Sequence, residues 1–326
     1  MRTLRPSVVR IITTLATVGL AVPAGAQSRE PYPATLYHGS GLITIPVAWV
    51  SPRNADVVLN AAGKTIPWAV NKDAHNFASY VNTNLSGETH WLGRFTFGAS
   101  YYSQNPDWGL FGQVLVLRDG DVPLLPGLAV GVRNVGNCKT QDRFFAGCDV
   151  QLDSSGEYQR VEGDLYKNFN TRGSFYGVLT KEVGTGAMIG RVPGSASFTL
   201  GMGTGVFSDD GDLGDAYNEK GTLAKGLFGG VRLATHPTLN TSLNFLVEND
   251  GWDWNTGVQG DWRGLTLGFY VTELEEGGER DPRTLIYNYR KWNASLGYSG
   301  NIIDISRGVI LRTRITALAR EEQRLR

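Results

Sequence analysis

"GLTLGFYVTE" (residues 264–273) is the stretch that decides the fold. Leu265, Leu267, Phe269 and Val271 alternate with Thr266, Gly268, Tyr270 and Thr272. A period of two puts the apolar side chains on one face of a strand and the others on the opposite face. Helical steps of three and four residues do not gather these apolar residues on one side. Working outward, "TLNTSLNFLVE" (238–248) sets Leu239, Thr241, Leu243, Phe245 and Val247 against Asn240, Ser242, Asn244, Leu246 and Glu248. "ASFTLGMGTGV" (196–206) and "RFTFGASYY" (94–102) repeat the pattern. "GWDWNTGVQGDW" (251–262) belongs to the same series once it is read as a strand. Trp252, Trp254, Thr256, Val258 and Trp262 then face one way, and Asp253, Asn255, Gln259 and Asp261 the other, behind an Asp250–Gly251 hairpin turn.

A soluble β-sandwich also alternates, so three further features separate it from a membrane barrel. Many alternating segments reach ten residues, which suits the ~9–11 needed to cross hydrocarbon at a tilt. Their polar faces carry Asn, Ser, Thr and Gly, as a wet lumen would. Trp91, Tyr101, Trp108, Trp252, Trp262 and Trp292 fall near strand ends, where interfacial girdles form. A sheet in lipid must close, because an open edge would leave backbone groups unpaired. The expected fold is therefore all-β: a single transmembrane antiparallel up-and-down β-barrel of about 12–14 strands over residues 54–317.

The last expected strand is "GVILRTRITA" (308–317), followed by a polar tail over residues 318–326 that lacks the terminal aromatic usual in such barrels. "NTRG" (170–173), "HPTL" (236–239) and "DWRG" (261–264) are expected tight turns. Residues 208–220 and 273–282 are expected long loops on the outer side of the membrane.

The chain opens on Arg2, Arg5 and Arg10, an apolar run from Ile11 to Val22, and small residues at Ala24–Ala26. This is the pattern of an export signal over residues 1–26, removed after Ala26. Residues 27–53 then lead into the barrel. Loss of three of the 31 basic residues leaves 28 against 31 acidic ones, and no basic stripe points to nucleic acid. Glycine is abundant, 42 of 326 residues, and much of it lies inside strand-like segments. Cys138 and Cys148 close a short segment without histidine, so in an oxidising compartment a disulfide is expected there rather than a zinc site.

Five segments in order, "GLITIPVAWVSP" (41–52), "GLAVGVRNVGN" (127–137), "FYGVLTKEV" (175–183), "FTLGMGTGVF" (198–207) and "VENDGWDWNTGV" (247–258), resemble the motif succession of the YjbH family of bacterial outer-membrane proteins. The resemblance implies an outer-membrane β-barrel associated with export of exopolysaccharide or capsule. Its partners would be outer-membrane lipids, lipopolysaccharide, polysaccharide and periplasmic export proteins. Members of that family are often about twice as long, and residues 138–168 read as an insertion between two motifs.

Catalytic signatures are absent: there is no Gly-x-Ser-x-Gly, His-Glu-x-x-His or phosphate loop, and no cofactor is expected. "GMGTG" reads as small residues making room inside the barrel. Asp209, Asp210, Asp212 and Asp215 lack the spacing of a calcium loop and read as a solvated acidic stretch. The functional candidates are inward side chains: Arg94, Arg133, Arg232, Arg312, Arg314, Glu248, Asp253 and Asp261, with Tyr102 and Tyr270 on the same wall. They either line a water-filled pore or pair across a narrow lumen and plug it, and both readings stand. Other function classes are a membrane-embedded hydrolase, which needs a serine beside a histidine, and a structural or adhesion barrel acting through its loops.

Overall fold

The computed structural model describes residues 32–65, 68–69, 81–102, 107–135, 173–189, 192–204, 207, 226–238, 241–251, 253–280 and 287–307. Their alternating segments form β1 (Asp56–Thr65), β2 (Trp68–Ala69), β3 (Val81–Trp91), β4 (Phe95–Tyr102), β5 (Asp107–Leu117), β6 (Gly127–Val135), β7 (Ser174–Ile189), β8 (Val192–Gly203), β9 (Leu227–Thr238), β10 (Thr241–Asn249), β11 (Trp254–Trp262), β12 (Leu265–Arg280) and β13 (Tyr287–Asn301). Each strand from β3 onward pairs antiparallel with its sequence neighbours. β1 pairs with β3 on one edge and with β13 on the other, from Asp56↔Asn301 to Lys64↔Asn293. β2 continues β1 along the same edge of β13, so the closed wall has twelve strands.

Closure gives two faces that can be followed around the ladder. One row runs Leu233–Phe245–Val258–Phe269–Ala294 and points out. The row beside it, Ala234–Asn244–Gln259–Gly268–Ser295–Ala62–Asn84, points in. The outer face is apolar and uncovered: Phe97, Val130, Leu200, Met202, Leu267 and Leu296 are all at least 46% exposed. In water so continuous a patch would be a strong liability; against hydrocarbon it is the required surface. Trp91 and Trp262 stand at one rim, and Tyr101, Trp108 and Trp254 at the other.

The two rims differ. At the rim where β1 begins and β13 ends, every reversal but the one between Leu117 and Gly127 spans two or three residues. Leu92–Gly93 and Arg263–Gly264 both have positive φ at both residues (54° and 60°, 54° and 87°), the turn whose twist matches a hairpin. This end is the near mouth of the barrel. The far rim carries the longer connections after β6 and β8.

Several expectations change at these rims. "ELEEGGERDP" is not a loop from residue 273: β12 runs on to Arg280, with register shifts between Thr272 and Glu279. Of "NTRG", residues 170–172 lie outside the described residues, and Gly173 directly precedes β7 at the far rim. The wall closes through Asn301, after which residues 302–307 form a helical turn. Residues 308–317, the expected last strand, lie outside the described residues.

The core of the molecule is inside the barrel. Leu42, Ile43, Ile45, Val47, Ala48 and Val50 are 0–1% exposed and cluster with Leu115, Ala129, Val178, Phe228, Leu246 and Tyr270 of the wall. Residues 32–51 are thus more than a lead-in: they occupy the lumen.

Candidate functional site

The site is the contact between this N-terminal plug and the inward wall. The plug has no long helix or strand of its own, so its backbone groups need other partners. Some are internal: Leu36 N–H donates to Ile43 O at 2.8 Å, Gly41 N–H to Pro33 O at 2.8 Å, and Leu42 N–H to Ile45 O at 3.0 Å across a tight turn. Wall side chains supply others. Asn60 Nδ2 donates to Thr35 O at 2.9 Å, Gln113 Nε2 to both Val47 O and Trp49 O at 3.0 Å, and Ser100 Oγ to Tyr37 O. Thr180 Oγ1 accepts Ala48 N–H at 2.9 Å. These groups sit on β1, β4, β5 and β7, which surround the segment and place it within the lumen.

The tightest cluster is at the tip. Glu248, fully buried on β10, accepts Ile43 N–H at 2.8 Å, Thr44 N–H at 2.7 Å, the Thr44 hydroxyl at 2.6 Å and Asn255 Nδ2 at 3.1 Å. Consecutive N–H groups converging on an anion form a nest. They supply the hydrogen bonds that a buried carboxylate needs. Arg133 completes the clasp, donating from Nη1 to Thr44 O at 2.6 Å, so all three polar groups of Thr44 are held by the wall. Gly39 and Gly230 make the close fit: a Cβ would fall 1.8 Å from Glu88 Oε2 at the first and 2.6 Å from Leu42 Cδ1 at the second.

Arg133 points inward by strand parity, whereas Asn134 beside it owes its position to a bulge. The β5–β6 register shifts between Leu110 and Gly112, and Asn134 takes a φ of 55°. Such a bulge re-aims side chains, and here Arg133 and Asn134 are both buried. Asn134 Oδ1 lies 2.9 Å from His38 Nε2 on the plug.

Nearer the near mouth, Glu88 accepts Ser40 N–H at 2.8 Å and also its hydroxyl. His90 Nε2 lies 3.2 Å from Glu88 Oε1, and its Nδ1 lies 3.2 Å from Thr96 Oγ1. Acid, imidazole and hydroxyl in sequence have the connectivity of a proton relay. Yet His90 is fully buried, edge-on to Trp49 at 5.2 Å. The adjoining cavity, lined by His38, Ser40, Glu88, Thr96, Gln113 and Arg133, measures about 20 Å³, room for one water. With the plug in place these groups are engaged in holding it.

The inward candidates divide. Arg133 and Glu248 grip the plug. Arg232, 1% exposed, stacks its guanidinium 4.4 Å over the Tyr32 ring and donates from Nε to Asn244 Oδ1 at 2.7 Å. Tyr270 is fully buried and donates to Gln259 Oε1 at 2.7 Å. Asp261 is half-buried, and its Oδ1 accepts Gly264 N–H at 3.3 Å, fastening a near turn.

Two candidates are corrected. Arg94 lies in the β3–β4 turn, where strand parity does not apply, and it reaches Asp121 at 3.3 Å on the exposed near rim. Asp253 sits in the reversal between β10 and β11, where its N–H donates to Asp250 Oδ1 at 3.0 Å. The side chain of Tyr102, Arg312, Arg314, both cysteines and residues 208–220 lie outside the described residues. Sequence reasoning missed Glu88, Asn60, Gln113, Asn134 and Thr180. The one local signal was the Arg133–Asn134 doublet, which breaks the alternation of β6.

The plug's course has a direction. Trp49 and Ser51 lie at His90 toward the near mouth, Thr44 reaches Glu248 and Asp250 toward the far rim, and Tyr32 returns to a ring contact with Trp49 at 5.8 Å. The segment folds back on itself, with Thr44 at its far tip and Trp49 and Ser51 toward the near mouth. It brings the quoted motifs together: the first lies in the lumen, and Arg133, Thr180, Phe207 and Glu248 of the other four face it or cluster around it.

No protein-family model matches the chain, and no curated protein matches it. Among solved structures, the chain is similar to the KdgM porin in complex with disordered oligogalacturonate, with a TM-score of 0.37 and 5% identity over 76% of this chain and 99% of that one. It is also similar to the COG4313 outer membrane channel from Pseudomonas putida F1, with a TM-score of 0.32 and 12% identity over 79% of this chain and 100% of that one.

Proposed function

We propose that the chain is an outer-membrane β-barrel whose lumen is closed by its own N-terminal segment, and that it conducts when that segment withdraws through the near mouth. The observation that carries this reading is the plug itself. Residues 32–51 fill the lumen, are held by side chains from most of the wall, and fold back on themselves within it. A fold-back of this kind can leave as a unit without threading. The apolar outer belt, the aromatic rims and the contrast between short and long connections support the membrane setting. An export signal ending at Ala26 would bring the chain there, among outer-membrane lipids and lipopolysaccharide.

The cargo reading rests on the motif resemblance: passage or export of exopolysaccharide or capsule, in company with periplasmic export proteins. It is supported by the convergence of those motifs on the plug. It is supported also by the inward rings of Tyr176 and Tyr270, which offer flat faces to a sugar once the plug is out.

Planar-bilayer conductance tests the gate. The full chain is expected to stay closed, and a variant lacking residues 32–50 to conduct. Glu248→Ala provides a second opened form that keeps every wall strand. Equal conductance of the full chain and both variants would overturn the proposal.

A further inference from the structure

The plug meets the wall through one imidazole of its own. His38 is 4% exposed, its Nε2 bonds to Asn134 Oδ1 at 2.9 Å, and its ring stands edge-on to Phe111 of β5 at 5.7 Å. The neighbouring residue of the bulge is Arg133, which holds Thr44 of the same plug. Glu88 of β3 and Tyr176 of β7 share the small cavity beside it, and Tyr37 lies next to it on the plug at 6.4 Å. Glu88 accepts Ser40 N–H and lies 3.2 Å from His90 Nε2. A proton added to His38 creates a second buried cation beside Arg133.

We propose that His38 is the trigger of the plug: its protonation expels the segment from the lumen and opens the barrel. This rests on the gate described above.

The electrostatics agree in sign. Burial first, and the Arg133 charge second, hold the docked imidazole well below its ordinary value, against the Asn134 hydrogen bond. Once released, the ring titrates near its ordinary ~6.5. The docked form is favoured in full above about pH 6.5. That advantage falls as the pH drops from there toward the docked value, because the released form binds the proton more readily. One proton changes the open-to-closed ratio by at most about tenfold per pH unit.

The test is bilayer conductance of the full chain, the variant lacking residues 32–50, His38→Gln and His38→Lys, with the near side taken from about pH 7.5 to about 5. Gln keeps an N–H donor for Asn134 and takes no proton; Lys places a permanent cation there. Expected are opening of the full chain below about pH 6.5, a flat response for His38→Gln, and conductance of His38→Lys already at about pH 7.5. The trigger is overturned if His38→Gln opens as the full chain does, if His38→Lys stays closed, or if the full chain stays closed throughout while the deletion variant conducts. A deletion variant that inserts but does not conduct overturns the gate itself.

Discussion

The wall and the plug solve the same backbone problem in opposite ways. The wall satisfies its N–H and C=O groups by its own ladder, which leaves its side chains free to sort by face: Val258, Phe245 and Phe269 outward, Gln259 and Asn244 inward. The plug has no ladder. Much of its backbone is satisfied by side chains of the wall, such as Glu248, Gln113 and Asn60, while its own side chains are mostly apolar and fill space. The difference teaches that the wall's backbone pairing makes no use of the plug, whereas the plug's conformation depends on the wall. It follows that the polar inward face is more than solvent lining, since much of it serves as a receptor for one segment of this chain.

The comparison breaks most visibly at Glu248. Glu248→Ala leaves three plug N–H groups, those of Ile43, Thr44 and, more weakly at 3.5 Å, Ile45, and the Thr44 hydroxyl without their acceptor. Each such loss costs about 1–3 kcal/mol when the group stays buried, so docking should weaken by about 4 kcal/mol. The expected result is protease sensitivity in residues 32–51 with the wall still folded by its heat-dependent electrophoretic shift. Loss of that shift would show that wall and plug fold as one unit.

A charge on the outer face should do the reverse. Val258→Arg puts a cation in the middle of the lipid-facing row, at a cost of about 2–4 kcal/mol near the midplane. Barrel insertion into vesicles should fall while the plug contacts in the inserted fraction remain. Unchanged insertion would mean that this row does not face hydrocarbon. The smallest effect is expected from Gly41→Ala, whose Cβ would meet Ile45 O at 2.3 Å inside the plug turn. A local shift costing about 1–3 kcal/mol should appear as faster hydrogen exchange at Ile43 and Thr44, with strand amides unaffected.

Much of the wall was legible because period two is a local property: each strand carries its own inside and outside, and parity sufficed for Arg133, Arg232, Glu248 and Tyr270. Parity failed where the ladder stops. Arg94 and Asp253 lie in reversals, and Asn134 enters the lumen only because a bulge spends an extra residue. The plug was not legible. "GLITIPVAWV" has no period, and its decisive partners are remote: Thr44 and Glu248 are separated by 204 positions.

The sequence alone therefore determined the strand character, the two faces and the need for closure, all of which follow from alternation and from the cost of unpaired backbone in lipid. Only the tertiary structure decided what occupies the lumen. That choice depends on strands remote in sequence bringing their polar groups together along the lumen, around a segment that could not satisfy its own.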